Sequence, residues 1–207
     1  RSTPKPSSAA SDVYKRQLFG GTFDPPHLGH LIIAQTIFEA EKFDQIVFVP
    51  AFKPPHKNGI QISPVDYRLD MLKIAIKENP NFLLSDIEIQ RGGLSYSIDT
   101  IVEYKKQNNI ESNNLFYLIG SDSLKQFHKW KDPERIINES RVIVAIRPGF
   151  RPSDIPNWIL AKIQFASIPR IEISSTAIRK RWVKDKTIRY MVTESVWQFI
   201  NKNKLYL

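Results

Sequence analysis

At 207 residues, with 42% apolar and 25% charged side chains, the chain has the make-up of one globular domain with a sizeable core and room for a small C-terminal addition. No apolar run approaches the roughly 18 to 20 residues of a membrane span, and nothing reads as a secretory signal. The lack of cysteine excludes disulfides and thiolate metal sites, so the expected compartment is the cytoplasm. The formal charge of +9 reads mainly as solvated Lys and Arg spread over helix faces rather than as a nucleic-acid or membrane patch.

In chain order, residues 1–16 begin with a stretch rich in Ser, Ala and Pro and read as a disordered tail or an expression-derived segment, leaving 17–207 as the folded domain. Leu18 and Phe19 are the expected core residues of a first strand ending at Gly20-Gly21. Leu28 to Lys42 has a helical pattern, and Ile46 to Val49 is a short apolar strand stopped by Pro50. After a Pro/Lys-rich loop, Ser63 and Pro64 read as N-cap and first residue of a helix carrying Leu69, Leu72 and Ile76. Phe82 to Ile89 reads as a strand, and Ser97 as the cap of a helix with Ile98, Ile101 and Val102 on one face. Leu115 to Ile119 and Val142 to Ile146 are further buried strands, and a last helix runs from Thr193 to about Lys204. Strands alternating with helices predict an α/β, doubly wound parallel sheet of Rossmann-like type with a small C-terminal helical portion. Ligands of such sheets bind beyond the C-terminal strand ends.

The loops at those ends carry the chemistry. Gly20-Gly21-Thr22-Phe23-Asp24-Pro25-Pro26-His27-Leu28-Gly29-His30 follows the first strand and opens a helix. Its two glycines let backbone approach a ligand, and the free N–H groups of the helix start favour an anion. His27 and His30 share one face of the first turn, where two imidazoles suit a polyphosphate and make a poor metal site without a third ligand. In Ile173-Ser174-Ser175-Thr176-Ala177-Ile178-Arg179, clustered hydroxyls at a helix N-terminus and an arginine four after Ser175 form a second anion site. Lys57, in Pro54-Pro55-His56-Lys57, is either a phosphate-neutralising cation or part of an ordinary surface loop. Arg91 to Ser97 lead into a helix whose free N–H groups suit a carboxylate, or form a plain capped turn. Asp122 follows a strand end, where it can accept from a ribose hydroxyl, and Trp130 either stacks on a flat ring or packs in the core. Arg147, at the end of the last expected strand, is a further candidate to reach a bound nucleotide.

These strings are similar to those of the nucleotidyltransferase superfamily, marked by a His-x-x-His pair opening the first helix. With ISSTAIR, the full GGTFDPPHLGH resembles the bacterial nicotinate-nucleotide adenylyltransferase family, from about Leu18 to the C-terminal end. The resemblance implies transfer of AMP from ATP to nicotinate mononucleotide, giving nicotinate adenine dinucleotide and pyrophosphate in NAD biosynthesis. Mg²⁺ would be carried by ATP, with no protein metal ligand. It implies His27, His30, Lys57 and Arg179 as the catalytic set, with Gly20, Gly21, Thr22, Phe23, Ser174, Ser175 and Thr176 as further ATP contacts. Asp24, Ser95, Tyr96, Ser97, Asp122 and Trp130 are implied around the acceptor. Ser97 stands where the family usually has Thr, which keeps the hydroxyl; Lys131 stands where an aromatic residue commonly follows the tryptophan, which alters the pocket.

The nearest alternatives keep the chemistry but change the acceptor to nicotinamide mononucleotide, phosphopantetheine or a phosphorylated sugar alcohol. A nucleotide sensor and a basic nucleic-acid-binding module are the others; no basic stripe with interleaved aromatics supports the latter. Neither nucleic acid nor membrane is an expected partner, and a homo-oligomer stays open. The central expectation is geometric: the helix starts near residues 28 and 175 face one crevice.

Overall fold

The computed structural model describes residues 14–55, 61–146, 150–152 and 155–207. Among the described residues six strands form, β1 (Arg16–Gly21), β2 (Gln45–Pro50), β3 (Phe82–Leu84), β4 (Leu115–Gly120), β5 (Arg141–Ile146) and β6 (Ile163–Ser167), of which β2, β4 and β5 are short runs rich in β-branched and aromatic residues. They make one sheet of order β3-β2-β1-β4-β5-β6, each neighbouring pair parallel. Parallel neighbours require crossovers. These are α1 (Leu28–Glu41), α2 (Val65–Ile76), α3 (Ile87–Arg91) with α4 (Ser97–Asn108), α5 (Ser121–Gln126) with α6 (Pro133–Glu139), and α7 (Asn157–Leu160). Two more helices, α8 (Ser175–Trp182) and α9 (Glu194–Lys202), follow the sheet. The chain builds outward from β1 to β3 and then returns to lay β4 against the other side of β1. That reversal opens a crevice beyond the carboxyl ends of β1 and β4.

Alternation along the strands sorts the core into two layers. Leu115, Tyr117 and Ile119 of β4 join Ile98 and Ile101 of α4 and Ile136 of α6. Phe116 and Leu118 join the other layer, with Ala34 and Ile37 of α1 and Leu72 and Ile76 of α2. A third cluster binds Met71 of α2 to Ile178 of α8 and to Val196 and Ile200 of α9. Each such buried Ile or Val contributes roughly 1.5–3 kcal/mol, so the C-terminal helices are fastened to the main layer. Thr193 caps α9, its Oγ1 accepting the Val196 N–H at 3.3 Å. Among the described residues no helix is long and apolar enough to cross a membrane.

Several local expectations change. The sheet starts at Arg16, with Gln17 and Leu18 fully buried and Phe19 only half-buried; residues 1–13 lie outside the described residues. The strand expected to reach Ile89 stops at Leu84, and α3 follows, because the Asp86 carbonyl accepts the Ile89 and Gln90 amides at 2.8 and 2.9 Å. Helix α2 begins at Val65 with Pro64 as its N-cap. Ser63 does not cap it: its N–H is drawn to Asp24 Oδ2 (3.2 Å) and its carbonyl to Arg68 (3.0 Å). Ser97 opens α4 after Tyr96, its hydroxyl turned to Tyr117 instead of capping. Strand β6 has little sequence signal: it is an edge strand with one buried residue, Ala166.

Candidate active site

Strand β1 delivers the loop Thr22–His27 to the crevice. A Cβ at Gly21 would stand 2.8 Å from the Phe23 ring, and one at Gly20 would stand 3.0 Å from the Tyr117 hydroxyl, so both glycines make room for side chains folded back on the strand end. Phe23, at φ 49°, turns its ring inward to 2% exposure and packs edge-on against Phe19 and His30. It is expected at ATP, but its ring is part of the core. The half-buried Thr22 offers its carbonyl to Arg68 at 2.9 Å.

His27 is the N-cap of α1 and His30 sits three residues on; their rings stack with centroids 3.6 Å apart and planes 23° apart. The His27 N–H donates to His30 Nδ1 at 3.2 Å. An amide can only donate, so Nδ1 accepts, and neutral His30 carries its proton on Nε2. Burial depresses the pKa of His27 to about 4, which keeps that ring uncharged at neutral pH and avoids two stacked cations. A Cβ at Gly29 would lie 2.9 Å from His27 Nδ1 and 3.3 Å from Ile171, so glycine is what lets the chain before α8 close over the start of α1.

That closure brings the two helix starts together. Ser174 caps α8 by accepting the Ala177 N–H at 3.2 Å. Ser175 Oγ donates to the Pro25 carbonyl at 2.9 Å, and Arg179 Nη1 donates to the Asp24 carbonyl at 2.6 Å. Leu28 N–H donates to Met191 O at 2.9 Å. Ser174 and Thr176 remain exposed beside this junction, and Ser175 and Arg179 are half-buried.

Asp24 was expected at the acceptor, but the structure buries it to 2% exposure and turns its carboxylate to Ser63, Tyr206 and, at 3.9 Å, Arg179. Sequence reading also missed Arg68, the largest fully buried side chain among the described residues. Its guanidinium donates to the carbonyls of Ser63, Thr22, Ala51 and Phe52, stapling the loops after β1 and β2 to α2. The signal was there: Arg68 stands three and four residues before the buried Met71 and Leu72, on the inward stripe.

A separate cavity of about 240 Å³ lies beside α4, lined among others by Ser95, Tyr96, Ser97, Lys129, Trp130 and Lys131. Four residues expected at the acceptor therefore share one opening, but two hydroxyls are already engaged. Ser95 Oγ accepts the Lys53 N–H at 3.1 Å, and Ser97 Oγ lies 2.7 Å from the Tyr117 hydroxyl. Trp130 packs against Phe127 and edge-on to Tyr117. Lys131 Nζ lies 2.9 Å from both Asp99 carboxylate oxygens and 4.8 Å from the centre of the Tyr96 ring. Asp122 is exposed in the first turn of α5, past the end of β4, and is not part of that lining. Lys57 and Arg147 lie outside the described residues. Among the described residues no three His, Asp or Glu side chains cluster as a metal site.

Residues 18–181 match the cytidylyltransferase-like family. Nicotinate-nucleotide adenylyltransferase of Bacillus subtilis (strain 168) is 37% identical over 189 residues, which are 91% of this chain and 96% of that one. The fold is shared with solved Plasmodium falciparum nicotinic acid mononucleotide adenylyltransferase. Its complex with NaAD has a TM-score of 0.75 at 22% identity, covering 93% of this chain and 97% of that one. Its complex with APC has a TM-score of 0.72 at 20% identity, with the same coverage.

Proposed function

This chain belongs to the nicotinate-nucleotide adenylyltransferases within the cytidylyltransferase-like family, and on that premise we propose that it transfers AMP from ATP to nicotinate mononucleotide, a step of NAD biosynthesis in the cytoplasm. The products are nicotinate adenine dinucleotide and pyrophosphate. The observation that carries this is the junction of the two helix starts, where Ser175 and Arg179 of α8 meet the Pro25 and Asp24 carbonyls beside the stacked histidines.

ATP enters as its Mg²⁺ complex. A phosphate oxygen of the acceptor attacks the α-phosphorus, the new P–O bond forms, and the bond to pyrophosphate breaks in line. The attacking phosphate is already ionised near neutral pH, so orientation and charge stabilisation supply the rate and no general base is needed. We assign His30 Nε2–H and the neutral His27 to oxygens at the reacting phosphorus. The N–H groups of α8, the Ser174 and Thr176 hydroxyls and Arg179 are assigned to the departing pyrophosphate. The acceptor's ring takes the cavity beside Trp130, and its carboxylate faces the first turn of α4, with Lys131 at the rim. Asp122 is assigned to a ribose hydroxyl at the switch point.

His30→Ala tests the assignment. Pyrophosphate release with ATP and nicotinate mononucleotide is expected to fall at least about tenfold, or roughly 1.4 kcal/mol of barrier. A smaller loss removes His30 from the mechanism. A wild-type chain that prefers nicotinamide mononucleotide or phosphopantetheine replaces the acceptor.

A further inference from the structure

A buried carboxylate is stable only with donors on its oxygens, and Asp24 draws one of them from the far end of the chain. Ser63 N–H serves Oδ2 at 3.2 Å, while the Tyr206 hydroxyl donates to Oδ1 at 2.7 Å across a separation of 182 residues. Arg179 stands beside the same group without closing on it. Its Nη1 donates to the main-chain oxygen of Asp24 at 2.6 Å but remains 3.9 Å from carboxylate Oδ2. Arg68, a second nearby cation, has its guanidinium on four backbone carbonyls. A cavity of about 440 Å³, lined by Asp24, Ser63, Arg179, Lys204 and Tyr206 among others, leaves the Arg179 side chain room to turn.

We propose that Tyr206 is a positioning residue for ATP: its hydroxyl satisfies Asp24 with a neutral donor and so keeps Arg179 from tightening its loose 3.9 Å ion pair with that carboxylate. The proposal rests on the assignment of Arg179 to the nucleotide phosphates. A neutral donor meets the carboxylate's need without cancelling the arginine's charge, which stays available for phosphate oxygens. Burial, reinforced by the Asp24 charge, raises the phenol's pKa, so the donor keeps its proton at ordinary pH. Without the hydroxyl, Oδ1 loses its Tyr206 partner, and Arg179, already 3.9 Å from Oδ2, is placed to turn toward the carboxylate.

Calorimetric titration of the full chain with Mg²⁺-ATP separates the cases, using wild type, Tyr206→Phe, Asp24→Asn and the double variant. Tyr206→Phe keeps the ring in place and is expected to raise the Kd for ATP about tenfold, the size of one charge-assisted hydrogen bond. The double variant is expected to bind ATP as Asp24→Asn alone does, because a neutral residue 24 no longer attracts Arg179. A Kd within about twofold of wild type in Tyr206→Phe, or losses that simply add in the double variant, overturns the proposal. So does an equal loss of ATP and acceptor affinity with a lowered Tm, the mark of a purely structural residue. A wild type that binds ATP but releases no pyrophosphate with nicotinate mononucleotide sinks the acceptor assignment and leaves the ATP series to judge Tyr206. One that does not bind ATP sinks both.

Discussion

The histidine side of the crevice, which we assign to the nucleotide, and the Trp130 cavity, which we assign to the acceptor, are built differently. Around the histidine pair nearly everything is fixed from within. Asp24 and Phe23 are 2% exposed, Arg68 staples four carbonyls, and α8 is pinned by two side-chain bonds to the loop backbone. The cavity by Trp130 is instead bordered by half-exposed side chains and two long lysines, with Lys131 balanced between a carboxylate and an aromatic face. Under the proposed assignment a rigid cradle suits a triphosphate, which is the same in every ATP, whereas the proposed acceptor cavity is bordered by side chains that can be exchanged without disturbing the core.

Arg68→Met should break that contrast most severely. It leaves four backbone carbonyls, that of Ala51 buried and the others partly so, without their donor and is expected to lower stability by about 3–5 kcal/mol, read from urea unfolding at pH 7. A loss below about 1 kcal/mol would mean that the loops hold themselves without the staple.

His27 gives the next effect, through pH. Its folded pKa of about 4 lies below the ordinary 6.5, so the unfolded chain takes up the proton first as pH falls. The contribution of this site is complete above pH 6.5 and is lost progressively down to about pH 4, amounting to roughly 3 kcal/mol. Tm measured against pH for wild type and His27→Asn should converge in acid; parallel curves would place the ring in a more polar setting than its burial indicates.

Lys131→Ala should have the smallest consequence for stability, under about 1 kcal/mol, because its pair with Asp99 is partly exposed. Its effect should fall on the acceptor, with KM for nicotinate mononucleotide raised and KM for ATP unchanged. If both KM values rise together, the two sides of the crevice are less separate than their construction suggests.

What could be read in the sequence was what neighbours dictate. The apolar runs of β2, β4 and β5, the three-residue spacing of His27 and His30, and the Ser174 cap depend on residues within a turn or a strand. The misreadings share a cause in distant partners. Asp24 looked like a ligand because Tyr206 and Ser63 are remote in sequence, and Ser97 looked like a cap because Tyr117, twenty residues on, was not seen to claim its hydroxyl. Ile87 and Ile89 read as strand because periodicity alone cannot separate a short buried helix from a strand.

Strand order also decides which parts of the molecule open first. β1 and β4, from which Gly21 and Gly120 lead into the crevice, each have hydrogen-bonded neighbours on both sides, whereas β3 and β6 have a neighbour on one side only. Rim strands can therefore fray while the floor of the crevice keeps its shape. In deuterated water, the amides of the two middle strands should outlast those of the margins.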